Sequence, residues 1–349
     1  MQRKTIYIVA ICILLGLLTV LVLYLGSTQK SNHRYNSFTR VFNTGHIRLS
    51  KTLGIHSDAY YLAGVTSRHI YLAHANAPSS LLVTDLRLSD TAQVHIQAQE
   101  ESLQYQSLKV AVDSPYFYLL DGSIPFIYRG MVTDWQASRY MEDSSYFSKA
   151  VPISDHSFAM LGMRAYKNIL AKKEISPSYF KLFPDLLEEQ IDGLFCTSGM
   201  LLYNPESARV VYVYFYRNQF LCMDTTMSLL YSGRTIDPVD TAQIKVARVE
   251  SDRAFKMAAP PLIVNKASCV SGNRLFINSN ILAKNEDKRQ FERSSVIDVY
   301  NLETGAYELS FYIPRYNDRK LREFRVMGNT LVALQGDFAV TYEFEPGLF

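Results

Sequence analysis

From His46 to the C-terminus, apolar residues fall in short runs, several of them alternating with polar ones, and Gly, Asn, Asp, Ser or Pro bounds each run. A period of two puts every second side chain on one face of a strand, so this region predicts short β-strands joined by turns. Long stretches of helical period are missing from it. Pro184-Asp-Leu-Leu-Glu-Glu-Gln-Ile191 predicts one short connecting helix, with proline at its start, acids in its first turn and Gly193 beyond its end. KNEDKRQFER, Lys284 to Arg293, mixes both signs of charge without an apolar face and reads as a solvated hairpin loop.

Within these runs a frame repeats. VSGNRLFI (270–277) and VMGNTLVA (326–333) share Val-x-Gly-Asn-x-Leu: a strand end, a tight turn that wants Gly and Asn for positive φ, and a new apolar strand. Relaxed to apolar-x-small/polar-x-x-apolar-x-apolar, the frame fits VTSRHIYL (65–72), VDSPYFYL (112–119) and ISDHSFAM (153–160), and more poorly PESARVVY (205–212). The six starts at 65, 112, 153, 205, 270 and 326 lie 41 to 65 residues apart. A four-stranded antiparallel blade takes about 40 to 50 residues, so the spacing predicts blades with loops of variable length.

The last unit runs out of chain. After LREFRVM, TLVALQ and FAVTYEF only Glu345 to Phe349 remain, whereas HIRLSKTL (46–53) stands unclaimed before the first frame. Pairing these two ends supplies the missing strand and removes the exposed edges of an open sheet. From about residue 45 to 345 the chain therefore resembles a six-bladed β-propeller, an all-β fold of four-stranded antiparallel blades. It lacks the Trp-Asp dipeptide and kelch-like double glycines, and is closer to the degenerate six-bladed propellers of bacterial envelope proteins.

The repeat sorts the row of tyrosines in VYVYFYRNQF (211–220). Val210 aligns with Ile70, Phe117, Phe158, Leu275 and Leu331, and Tyr212 with Leu72, Leu119, Met160, Ile277 and Ala333, so both belong to packing. Tyr214 aligns with His74, Asp121, Gly162, Ser279 and Gln335, a polar or small column expected where a strand leaves the packed sheet. In such propellers the resemblance implies that the second strand of each blade ends at the face most often used for binding. Tyr214, Tyr216, Arg217, His74 and Asp121 are then the candidate ligand or partner contacts, with an ordinary hairpin tip and turn caps as the simpler account.

The N-terminal stretch adds a location. Ile6 to Leu25 carries no charge and is long enough to cross a bilayer, following a basic tail of residues 1–5; residues 26–45 read as a polar tether and 46–349 as the propeller. The expectation is a signal anchor with its N-terminus in the cytoplasm and the bulk periplasmic, at the inner membrane of a bacterial cell; the absence of Asn-x-Ser/Thr sequons points the same way. Cys12 lies inside the apolar stretch, and no small residue precedes it as a lipid-attachment site requires. The other cysteines, Cys196, Cys222 and Cys269, are odd in number; they read as buried thiols, with one Cys196–Cys222 bond as the alternative.

A formal charge of +3 over 349 residues, without a long basic run, argues against nucleic acid as partner. His-Glu-x-x-His, Cys-x-x-Cys, Gly-x-Ser-x-Gly and phosphate-cradling glycine loops do not occur, and the seven histidines show no ligand spacing. The chain thus reads as a non-catalytic module, without cofactor or metal, for a protein or peptide partner in the cell envelope. Two alternatives stay open: a metal-dependent propeller hydrolase or lyase whose site gathers strand-end residues such as His74, Asp121, Asp155 and Asn278 around the channel, and a carbohydrate-binding or sensory module.

Overall fold

The two ends of the chain meet in one sheet, and everything between them is wound into a ring. The structure, a computed structural model, describes residues 2–26, 37–43, 45–100, 104–142, 145–249 and 254–349. Helix α1 spans Gln2–Gly26, and strand β1 spans Ile47–Gly54. Blade 1 is β2 (Tyr60–Val65), β3 (His69–His74), β4 (Ala77–Asp85) and β5 (Thr91–His95). Strand β6 (Gln97–Ala98) leads into blade 2, made of β7 (Lys109–Asp113), β8 (Tyr116–Asp121), β9 (Phe126–Met131) and β10 (Gln136–Glu142), and lies parallel to β10 at its outer edge. Blade 3 is β11 (Phe147–Ser154), β12 (Ser157–Arg164), β13 (Lys167–Glu174) and β14 (Tyr179–Phe183). Blade 4 is β15 (Gly199–Asn204), β16 (Arg209–Tyr214), β17 (Gln219–Met223) and β18 (Leu229–Arg234).

A separate two-stranded hairpin of β19 (Val246–Val249) and β20 (Ala254–Met257) follows. Blade 5 is β21 (Asn265–Ser271), β22 (Arg274–Ser279), β23 (Ser294–Asn301) and β24 (Tyr307–Pro314), with a short helix α2 (Lys288–Arg293) before β23. Blade 6 is β25 (Leu321–Met327), β26 (Thr330–Gln335) and β27 (Phe338–Phe344). Its fourth strand is β1, antiparallel to β27 with Ile47 opposite Phe344 and Gly54 opposite Phe338. The ring closes as the unclaimed stretch predicts.

All six copies of the frame fall on the turn between the first and second strands of a blade. Gly272 and Gly328, the glycines of the two fullest copies, both sit at φ +56°, where a side chain is disfavoured. The first aligned column, Ile70, Phe117, Phe158, Val210, Leu275 and Leu331, is fully buried in every blade. These side chains feed apolar clusters, one in each cleft between neighbouring blades. The cluster holding Leu62, Leu72, Val332 and Leu334 joins blade 6 to blade 1. No blade buries both its faces alone; each depends on its neighbours.

Three local expectations are corrected. Residues 184–191 form turns and bends rather than a helix, and Asp192, which follows, takes the amides of Leu194 and Phe195 on its Oδ1 in a further tight bend. The charged stretch expected to be a loop instead forms α2, with Asp287 as N-cap accepting from the Gln290 amide at 2.9 Å. The tether is docked in its described part: residues 37–43 run along blade 5 and are held there by Arg40. Its guanidinium is buried, with Nε 2.7 Å and Nη2 3.0 Å from the two carboxylate oxygens of Asp298, and Nη1 donates to Glu286 and the Ile281 carbonyl. Phe42 stacks on Tyr312 at 4.8 Å, and the Val41 amide donates to the Tyr307 hydroxyl.

The helix expected from the apolar N-terminal stretch forms, yet among the described residues no helix is long and apolar enough to cross a membrane. The side chains of residues 2–6, 10 and 23–26 lie outside the described ones. Cys196, Cys222 and Cys269 are buried free thiols, so the Cys196–Cys222 bond is not made.

Removing residues 46–53 is expected to leave β27 as a bare edge and to abolish cooperative unfolding in a thermal melt of the full chain; an unchanged melting curve would refute the closure. Replacing Arg40 with Met leaves two buried carboxylates without their cation, and is expected to lower stability by about 3–5 kcal/mol in denaturant titration.

Candidate functional site

The first strands of the blades, β2, β7, β11, β15, β21 and β25, stand around a central channel with a cavity of about 400 Å³. Its wall is mostly apolar, with Ala63, Ala111, Val151, Leu202 and Val270 contributed by five blades. Asp113 and Arg325 are its charged members. Burial raises the carboxyl pKa of Asp113, and the nearby Asp155 adds to the effect.

An innermost strand has no partner on its channel side, so its free amides need side-chain acceptors. The Tyr61 hydroxyl accepts from the Val110 amide at 2.7 Å, and Glu323 accepts from the Leu62 amide at 3.0 Å. Each of these bonds crosses from one blade to the next. They fix the channel wall and occupy Glu323, which also lies 3.6 Å from Arg325.

At the end of the channel where the first strands begin, three lysines point outward from the strands: Lys109 on β7, Lys149 on β11 and Lys266 on β21. The Lys109 ammonium sits 4.5 Å from the Tyr61 ring centroid, and that of Lys149 lies 6.0 Å from the ring of Phe215. Solvent reaches all three side chains. The surrounding protein nevertheless lowers the pKa of Lys149, with Lys109 adding to the effect, and takes that of Lys266 down to about 8 with help from Lys320. Among the described residues none of the three is ion-paired.

The residues expected at this face are placed differently. Tyr214 and Arg217 are fully buried, because the chain around Glu188, Asp237 to Val239 and Val264 to Asn265 bonds across the β16–β17 hairpin that carries them. The Arg217 guanidinium lies 3.8 Å over the Tyr214 ring and donates through Nη2 to the Glu188 carbonyl at 3.0 Å; its Nε and Nη1 have no partner among the described residues. Tyr216 is half-buried beside Phe195, Cys196 and Met257. The row of tyrosines thus ends inside the protein, and it is Phe215, between two of them, that reaches the lysine mouth.

His74 has both ring nitrogens engaged, Nε2 with the Ser57 hydroxyl at 3.1 Å and Nδ1 with the Asn76 amide at 3.3 Å. Asp121 is fully buried and accepts from the amides of Gln106, Ser107, Ser123 and Ile124 at 2.7–3.0 Å. Burial alone would raise its pKa, but these amides, Ser107 foremost, hold it below the usual carboxylate range. Asn278 is likewise buried and donates to the Val296 carbonyl. Asp155 lies on the β11–β12 turn at the opposite face, so the strand-end set does not converge. Among the described residues no three His, Cys, Asp or Glu side chains gather as a metal site.

The polar column is therefore buried, His74 partly so, rather than exposed. Gln335 shows the reason again: its amide donates to the Pro314 carbonyl and accepts from the Tyr342 hydroxyl. These side chains hold the connections between and within blades. The lysines were missed, although a signal for them exists. Four places before the frame starts lie Tyr61, Lys149, Lys266 and Arg322, with Lys109 three places before its own.

No protein-family model matches this chain, and no curated protein matches it in sequence. Its likeness is to solved structures. A member of the DUF4221 family from Bacteroides vulgatus aligns with a TM-score of 0.54 at 12% identity, covering 88% of this chain and 99% of that one. A catalytically inactive virginiamycin B lyase from Staphylococcus aureus with quinupristin aligns at 0.49 and 8%, covering 85% and 99%. BamB from Moraxella catarrhalis aligns at 0.43 and 10%, covering 86% and 98%. At these identities the likeness extends to the fold and no further.

Asp121→Asn puts an amide donor where four amides already point, and is expected to lose about 2–3 kcal/mol of stability near neutral pH. Because the folded carboxyl is held below its unfolded pKa, the stability it contributes is present above about pH 4 and lost as pH falls through the folded value. Urea titrations of the two proteins should therefore converge in acid; a constant gap at all pH values would contradict the capping role.

Proposed function

We propose that this chain is a non-catalytic binding module that takes a segment of a protein or peptide partner at its central channel. The observation that carries this reading is the channel itself: a mostly apolar cavity framed by six strands, whose far mouth carries unpaired lysines beside Tyr61 and Phe215. Apolar walls with a few placed polar groups suit recognition of side chains. The bonds of Tyr61 and Glu323 across blades keep the wall in one shape before a partner arrives, which lowers the ordering cost of binding.

We also propose that α1 anchors the module in a membrane, with its N-terminus cytoplasmic and the propeller on the extracytoplasmic side. In support, apolar side chains from Tyr7 through Val22 are exposed around the helix, with no protein surface covering them. Docking of residues 37–43 on blade 5 would then keep the propeller close to the bilayer.

The test is photocrosslinking in intact membranes from a probe placed at Ala111, followed by pull-down, beside a Val151→Trp variant that fills the cavity. The expected result is a reproducible crosslinked protein that the variant loses while keeping its melting temperature. Recovery of no partner, or equal recovery by the filled variant, would overturn the channel as the binding site.

A further inference from the structure

Resting on the reading of a protein or peptide partner, we infer that the channel mouth bearing Lys109, Lys149 and Lys266 is a receptor for an acidic peptide segment. The three side chains come from blades 2, 3 and 5, so the ring brings together charges that are distant in sequence. Lys109 and Lys149 stand on neighbouring blades, and Lys266 stands across the channel from them.

Like charges gathered in a partly enclosed mouth repel one another, and among the described residues no carboxylate pairs with these lysines: Glu323 accepts from the Leu62 amide and lies 3.6 Å from Arg325. Nearby rings hold two of the ammonium groups. Tyr61 lies under Lys109 and Phe215 beside Lys149, and both leave the ammonium hydrogens free for an acceptor. The cavity behind the mouth is walled mostly by apolar residues, with Arg325 among them and Asp113 towards its other end. A ligand entering from the lysine side therefore meets positive charge first, from the lysines and then Arg325, and the Asp113 carboxylate last, an order that suits acidic residues held at the mouth.

The chemistry of the mouth also separates an acidic chain from a single phosphate. Phosphate sites are built from an arginine fork or a nest of backbone amides converging on one point. Here the donors are ammonium groups spread around a ring; of the arginines on β25, Arg322 donates to the Tyr60 carbonyl and Arg325 lies 3.6 Å from Glu323. A chain crossing the mouth places successive carboxylates against different blades. One tetrahedral anion cannot.

The experiment uses the full chain in detergent and a fluorescein-labelled glutamate-rich peptide, with a lysine-rich peptide as control. Wild type is compared with the double variant Lys149→Gln/Lys266→Gln and with Lys51→Gln on the outer strand β1. The expected result is binding of the glutamate peptide alone, weakened about tenfold or more in the double variant and unchanged in Lys51→Gln. Affinity should also fall between about pH 7 and about pH 9, because a carboxylate favours the charged ammonium and Lys266 loses its proton near 8. Melting temperatures of the variants, expected at or above that of wild type, exclude unfolding as the cause. Equal peptide binding by wild type and double variant, or full displacement of the peptide by excess inorganic phosphate, would overturn the inference. The crosslinked partner decides between levels: capture that is equal for wild type and the double variant sinks the acidic-segment receptor alone, whereas capture of nothing sinks the binding module itself.

Discussion

The ladder between β1 and β27 is the constraint on which the rest of the protein depends. A ring of blades has no stable open form of the same packing, because every blade buries one face against each neighbour and an unclosed ring would expose two. Here the closure is made by residues at opposite ends of the sequence, Ile47 against Phe344 through Gly54 against Phe338. The apolar cluster between blades 6 and 1 then completes the circuit, with Val332 and Leu334 against Leu62 and Leu72. Contacts so distant in sequence carry a large loop-closure cost, which the clusters in the other clefts help to offset only when all are formed together.

Closure also dictates where polar groups must go. Outside the ladders, a propeller leaves amides unpaired on the inner strands and in the loops that run from one blade to the next. This protein answers with single side chains: Asp121 takes four loop amides, Glu323 and Tyr61 take inner-strand amides, and Gln335 links β26 to the end of β24 and to Tyr342. What resembles a set of exposed site residues in sequence is largely this bonding of the framework. The three lysines stand out against it because, among the described residues, they have no hydrogen-bond or ion-pair partner.

Much of the fold is legible in the sequence, since turn chemistry and period-two burial are local. Val-x-Gly-Asn-x-Leu announces a tight turn at φ +56° wherever it stands, and the column of Ile70 and its counterparts is apolar because it is buried in every blade. The candidate site is far less legible. A polar residue at a strand end looks the same whether it meets water, as expected for Tyr214 and Asp121, or the amides of a loop folded over it, as found. Arg40 in a polar segment could not be told from a solvated arginine, because Asp298 and Glu286 lie more than two hundred residues away. Lys109 and Lys149 needed the ring to be assembled before their approach could be seen.

Arg40 has a mechanical consequence. It precedes β1, so tension arriving from the N-terminal side meets the Arg40–Asp298 pair and the stacked Phe42 and Tyr312 before it reaches the closing ladder. Pull is thereby delivered to blade 5, at the edge strand β24 and at β23, which is paired on both sides within its sheet, and not to the one strand whose loss would open the ring. Residues 37–43 act as a strain relief, of the kind that guards a cable where it enters its socket.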